Sequence, residues 1–182
     1  MPQRGNRHTM ATHQAETASV IPYIERTRNY YGTLGYPPYH WAHNETVPFT
    51  PFRGAVRDAR LALITTAAPN KPELGDQGPG AAYNAAAKFF QVYTVPKSPA
   101  PDLRISHLGY DRKHSTAEDP NSWLPVAALE AAVAEERLGA LADSLIGVPT
   151  NRSQRVTLEK DAPDALAACI ALDADIALLV PS

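Results

Sequence analysis

The chain has 182 residues, with 17 Lys+Arg against 19 Asp+Glu and a formal net charge of −2. That balance gives no general pull toward nucleic acid or an anionic membrane, and the length suits one domain of ordinary size. The single cysteine, Cys169, excludes an internal disulfide framework, and no apolar run reaches the roughly 18 residues of a membrane span. Met1–Val20 is too polar for a signal peptide, so a cytoplasmic protein is expected.

Residues 1–20 lack aromatic side chains and read as a disordered tail. Residues 21–58 read as an arm rich in aromatics and proline. Ile21, Ile24 and Tyr31 suggest a short helix at its start. Tyr36, Tyr39, Trp41, Phe49 and Phe52 then follow among prolines, which deny this stretch a sheet ladder or helix interior. Rings at this density either pack over a hydrophobic surface, the more ordinary role, or are presented to a partner.

The remainder, 59–182, carries the regular elements. Arg60–Thr66 is a continuous apolar run, the pattern of a strand buried on both faces in a parallel sheet. A loop of about thirty residues follows, rich in Gly, Pro and Asn, with a short helix over Ala81–Phe90. Leu103–His107 alternates as a second strand and opens into Gly109-Tyr110-Asp111. Val126–Leu138 is the clearest helix, with Pro125 suited to its first turn, Arg137 near its end and Gly139 after it. Leu145–Val148 reads as a third strand. Asp161 is expected to cap a further helix with Pro163 in its first turn, burying Leu166, Cys169, Ile170 and Leu172. Asp175–Val180 closes the order as another buried apolar strand. Together these predict an α/β fold, a mostly parallel open sheet flanked by helices.

In open parallel sheets, ligands bind beyond the carboxyl ends of the strands. His107 follows a strand there, and a histidine beside carboxylates can act as general acid or base near neutral pH. Asp111, Arg112, His114 and Asp119 lie within the same thirteen residues. The plainer reading is a loop held by its own hydrogen bonds, with Asp119-Pro120-Asn121 as a turn. His40 and His43 could join His107 and His114 around a metal, but no His-Glu-x-x-His or Cys-x-x-Cys pattern supports it, and no metal site is expected. Cys169 reads as a small buried hydrophobe rather than a nucleophile. Gly75–Gly80 does not join a strand to a helix and reads as a flexible loop.

Several blocks resemble the selenoprotein B family of glycine, sarcosine, betaine and D-proline reductases. They are Tyr36-Pro37-Pro38-Tyr39-His40-Trp41, Thr65-Thr66 after the first strand, and Asp102-Leu103-Arg104-Ile105-Ser106-His107 with Tyr110-Asp111 and Asp119-Pro120-Asn121. Leu124-Pro125-Val126-Ala127-Ala128-Leu129 and Gly139-Ala140-Leu141 are also similar, and the likeness covers roughly residues 28–182. It implies a component of a reductive C–N cleavage. A pyruvoyl group on a partner subunit engages the substrate amine, a selenocysteine of the B-type chain displaces nitrogen, and thiols reduce the selenium.

Within these blocks His107 is the candidate catalytic residue, and Arg104, Ser106, Asp111, Thr65 and Thr66 are candidate substrate-binding residues. Family members usually carry glycines where Ala67-Ala68 stand. No cofactor is expected within these residues, and the resemblance implies a selenocysteine just beyond Ser182, encoded by UGA. The other readings are a non-catalytic subunit that stabilises a reductase partner, and a small binding domain using the His107 loop.

Overall fold

Leu61, Ala62, Leu63, Ile64 and Thr65 are all buried, and a strand buried on both faces requires a layer above and a layer below it. The computed structural model, which describes residues 22–38, 40–75, 88–105, 118–150 and 153–181, contains both layers. The chain divides into two units, Met1–Thr46 and Val47–Ser182.

In the first unit, helix α1 (Tyr23–Thr33) forms where the short helix is expected. It ends on Gly35, whose φ of 76° lies in the left-handed region open to glycine. Gly35 N–H donates to Gly32 and Tyr36 N–H to Tyr31, closing the last turn. The Tyr31 and Tyr36 rings then meet at 6.0 Å, and Tyr23 packs against Trp41 at 5.4 Å.

The second unit is built on strand β1 (Arg60–Thr65). The other strands are β2 (Ala68–Pro69), β3 (Tyr93–Pro96), β4 (Leu103–Arg104), β5 (Ala140–Leu141), β6 (Ser144–Gly147) and β7 (Ile176–Val180). Strand β7 runs parallel along one side of β1, from Leu61 opposite Ile176 to Thr65 opposite Val180. On the other side β5 pairs with the start of β1 and β6 with its end, both parallel. Their register slips by two residues at Ala142-Asp143, so β5 and β6 are one strand interrupted by a bulge. Strand β3 adds an antiparallel edge against β6. The sheet is therefore mostly parallel, as expected.

Alternation along β1 divides the core. Leu61 and Leu63 join Leu141, Leu145, Trp123 and Leu124 beneath helix α2 (Val126–Ala134), through Val126, Leu129, Ala132 and Val133. Ala62 and Ile64 join Ile146 on the other face. The covering helix starts as α3 (Gln154–Val156), widens into a π turn over Thr157–Asp161, and continues as α4 (Ala162–Ala171), which contributes Ala168 and Cys169.

Several expectations need correction. Helix α2 stops at Ala134, four residues early, because Glu136 takes a left-handed φ of 57° and Arg137 N–H closes the turn on Ala132. Gly139 serves a different purpose: a Cβ there would lie 2.6–2.8 Å from backbone atoms of Asp58 and Ala59. Of the expected second strand, Leu103–Arg104 forms β4, Ile105 is irregular, and Ser106 and His107 lie outside the described residues; β4 pairs antiparallel with β2 outside the main sheet. The long loop before it contains β2, a 3-10 turn at Pro72–Leu74 and strand β3. Most of the expected 81–90 helix lies outside the described residues, and Lys88–Phe90 are irregular.

Asp161 is no N-cap. Ser153 caps the helix, its Oγ accepting from Val156 N–H at 3.3 Å, and Asp161 sits inside at the end of the π turn. Pro163 explains that turn: it has no N–H for the Glu159 carbonyl, so the backbone passes to wider spacing just before it. Leu166 and Ile170 are exposed, because the stripe facing the sheet is Ala165, Ala168, Cys169 and Leu172. Strand β7 forms as predicted but is an edge strand, with Ala177, Leu178 and Leu179 exposed. The expected tail, 1–20, lies outside the described residues.

Candidate functional site

The carboxyl end of β1 is where a parallel sheet presents ligand-binding groups. Thr65 is fully buried there, and its Oγ1 accepts from Ala67 N–H at 3.1 Å, turning the chain out of the strand. Thr66 is half-buried beside it. The turn leads directly into β2, where Ala68 pairs with Arg104 of β4. The candidate pair Thr65-Thr66 and the distant candidate Arg104 are thus linked through the β2–β4 pair.

Arg104 forms an ion pair with Asp102 and donates to the Leu103 carbonyl at 3.0 Å. Asn70 holds the same corner, its side chain donating to Asp102 at 2.6 Å and its backbone N–H to the Asp102 carbonyl at 2.9 Å. Half-buried and aligned by these partners, Arg104 is suited to an anionic group such as a carboxylate. Ser106, His107 and Asp111, with Arg112 and His114, lie outside the described residues. Asp119 is described, and it makes the expected turn, its carboxylate accepting from Asn121 N–H at 2.9 Å.

Two further residues escape sequence reasoning, Tyr93 near this rim and Asp161 in the covering helix. Tyr93 of β3 lies opposite Gly147 of β6, and its ring covers that glycine so closely that a Cβ would lie 1.9 Å from it. The phenol reaches across to donate to the Ala67 carbonyl at 2.7 Å, bracing the turn after β1. Burial pushes the Tyr93 phenol well above its ordinary pKa. Phe89 packs edge-on against it at 5.2 Å. The sequence signal was the alternation Tyr93-Thr94-Val95, masked by its position between glycine- and proline-rich stretches.

The second missed residue is Asp161, which is 4% exposed and whose two carboxylate oxygens have no hydrogen-bond partner. Cys169 packs against the Ala62–Ile64–Ile146 cluster, and burial pushes its thiol pKa up, away from nucleophilic use. Among the described residues no group of three or more His, Cys, Asp or Glu could hold a metal ion, and His40 and His43 are exposed. No helix among them is long and apolar enough to cross a membrane. Comparison with family models, with curated proteins and with solved structures found no match.

Proposed function

We propose that this chain is a selenoprotein B-like component of a glycine-, betaine-, sarcosine- or D-proline-type reductase, contributing to reductive cleavage of a C–N bond in an amino acid or related amine. The observation that supports this reading is the meeting, at one carboxyl rim, of two sequence blocks that carry the resemblance. Thr65-Thr66 from one block and Arg104 from the other are joined there through the β2–β4 pair. In this reading Arg104 holds the substrate carboxylate, and the threonines line the floor beneath it. His107 orients or protonates a group nearby.

The selenocysteine expected beyond Ser182 supplies the nucleophile, and a partner subunit supplies the pyruvoyl group. Strand β7 pairs with β1 up to Thr65 opposite Val180, so a residue soon after β7 would emerge beside the same threonines. A thiol reductant completes the cycle, and the setting is the cytoplasm.

One observation favours a second reading, a non-catalytic subunit that stabilises a reductase partner. Leu166, Ile170 and Leu179 are more than half exposed, and such apolar groups suit a partner surface.

The test is the nucleotide sequence following the Ser182 codon, with expression of the extended frame in the presence of radioactive selenite. An in-frame UGA, with a longer product carrying selenium, is the expected result. A conventional stop codon with no related sequence downstream would overturn the catalytic reading in favour of the second.

A further inference from the structure

A surface helix ordinarily shows one apolar stripe to its sheet and charged residues to water. Helix α4 departs from that pattern. Its sheet-facing stripe is Ala165, Ala168, Cys169 and Leu172, yet its exposed residues include Ala162, Pro163, Leu166, Ala167 and Ile170. Asp164 is the one charged residue from Ala162 to Ala171. A helix apolar on nearly every side is one that something covers.

Strand β7 adjoins it with the same character. Among the described residues β7 pairs with β1 alone, so its outer edge is open. Natural edge strands are guarded by charge, proline or a bulge, as β3 is where Pro96 ends it and Lys97 follows. Ile176–Val180 has none of these within it. Register gives the faces: Ala177 and Leu179 stand beside Ala62 and Ile64, on the α4 side of the sheet, and both are exposed. The crossover from β6 through α4 to β7 joins parallel strands, and such crossovers are right-handed. That hand turns the flank carrying Leu166 and Ile170 toward β7, while Ala168 on the other flank joins the cluster of Ile146 of β6. The helix flank, Ala177, Leu179 and the open strand edge thus form one apolar surface.

We infer that this surface binds a second copy of the same chain, β7 pairing antiparallel with its counterpart across a two-fold axis. Two observations select that occupant. The first is self-complementarity. Centred on Leu178, the pairing sets Ile176 opposite Val180 and Ala177 opposite Leu179, and the nearest charge, Asp175, falls opposite Pro181. No charged residues meet along the strand. A two-fold axis perpendicular to the sheet keeps both α4 helices on one side, so Leu166 and Ile170 of each copy face those of the other. The second is area. Leu166, Ile170, Leu178 and Leu179 leave roughly 400 Å² of apolar surface open, the size of patch that marks an interaction site. With Ala162, Pro163, Ala167 and Ala177 the surface reaches about 600 Å² per copy, so two copies bury enough for the lower end of stable interfaces. This dimer requires neither the reductase reading nor a reductase partner.

The experiment is sedimentation equilibrium of the full chain across micromolar concentrations, where a reversible monomer–dimer equilibrium is expected. Leu179→Lys and Ile170→Glu, both at exposed positions, are expected to weaken it at least tenfold with an unchanged circular dichroism spectrum. Phe90→Lys, at an exposed apolar residue outside α4 and β7, is expected to leave it intact. Under mild oxidation Leu178→Cys is expected to link to its counterpart, whereas Ile176→Cys, two positions off the axis, is not; the wild-type chain with Cys169 is the control. A monomer at every concentration overturns the inference and leaves the surface to a different protein. Open-ended oligomers overturn it too, as does a dimer indifferent to Leu179→Lys and Ile170→Glu or broken by Phe90→Lys. Equal linking of the two cysteine variants overturns the antiparallel pairing.

Discussion

Replacing Tyr93 with Phe removes one oxygen atom and leaves the ring packed on Gly147 and Phe89. The lost bond is the 2.7 Å contact to the carbonyl of Ala67, a residue with no exposed surface. Stripping the donor from a buried acceptor costs about 1–2 kcal/mol, or about 3–6 °C in melting temperature for a unit of this size. The same phenol makes the cost depend on pH. Burial holds its pKa above the ordinary value near 10, so above that pH the unfolded chain releases a proton that the folded chain keeps. Stability from this group is complete below pH 9. It then falls by up to about 1.4 kcal/mol per pH unit above 10.

The Phe variant has no such loss, so the two proteins should differ at pH 7–9 and converge near pH 11. Urea unfolding at pH 7, 9, 10 and 11, followed by the fluorescence of buried Trp123, measures both effects. A variant as stable as wild type at pH 7, or a gap that stays constant from pH 9 to 11, would refute the bracing role.

Two further outcomes follow from backbone geometry. Gly139→Ala should cost at least about 2 kcal/mol by urea unfolding, since its Cβ would meet the backbone of Asp58 and Ala59 at 2.6–2.8 Å, where no side chain can swing away. Asp173→Gly and Glu136→Gly should each raise stability by about 0.5–1 kcal/mol in thermal melts, because both sit at left-handed φ (51° and 57°) where helix α4 or α2 closes.

Strand β1 was legible because five consecutive buried residues leave an uninterrupted apolar run. Strand β7 carries the same kind of run, yet it lies at the edge with Leu179 66% exposed. Apolar composition thus identified the strand but not its covering. Strand β3 was missed because it is short, ends in Pro96 and, among the described residues, pairs with β6 alone, a position where proline is tolerated and alternation is brief. Asp161-Ala162-Pro163 has the form of a helix start, and a π turn has no simple local signature, so the helix was begun eight residues late. At the candidate site, Thr65, Thr66 and Arg104 were marked by the sequence blocks that carry the family resemblance. Tyr93 was not, because its role depends on a contact with Ala67, 26 residues away.

The two ends of β1 are held by different kinds of groups, charged side chains at one and neutral donors beside a short strand pair at the other. At the amino end Arg60 donates to the Leu172 carbonyl and to Asp143, while its backbone N–H donates to the Asp175 carboxylate. Asp175 N–H returns a bond to the Arg60 carbonyl at 2.9 Å. That end joins the strand, the bulge and the end of α4, and every charged group named there is partnered. At the carboxyl end the main chain is braced as firmly, through Tyr93, Asn70 and the β2–β4 pair.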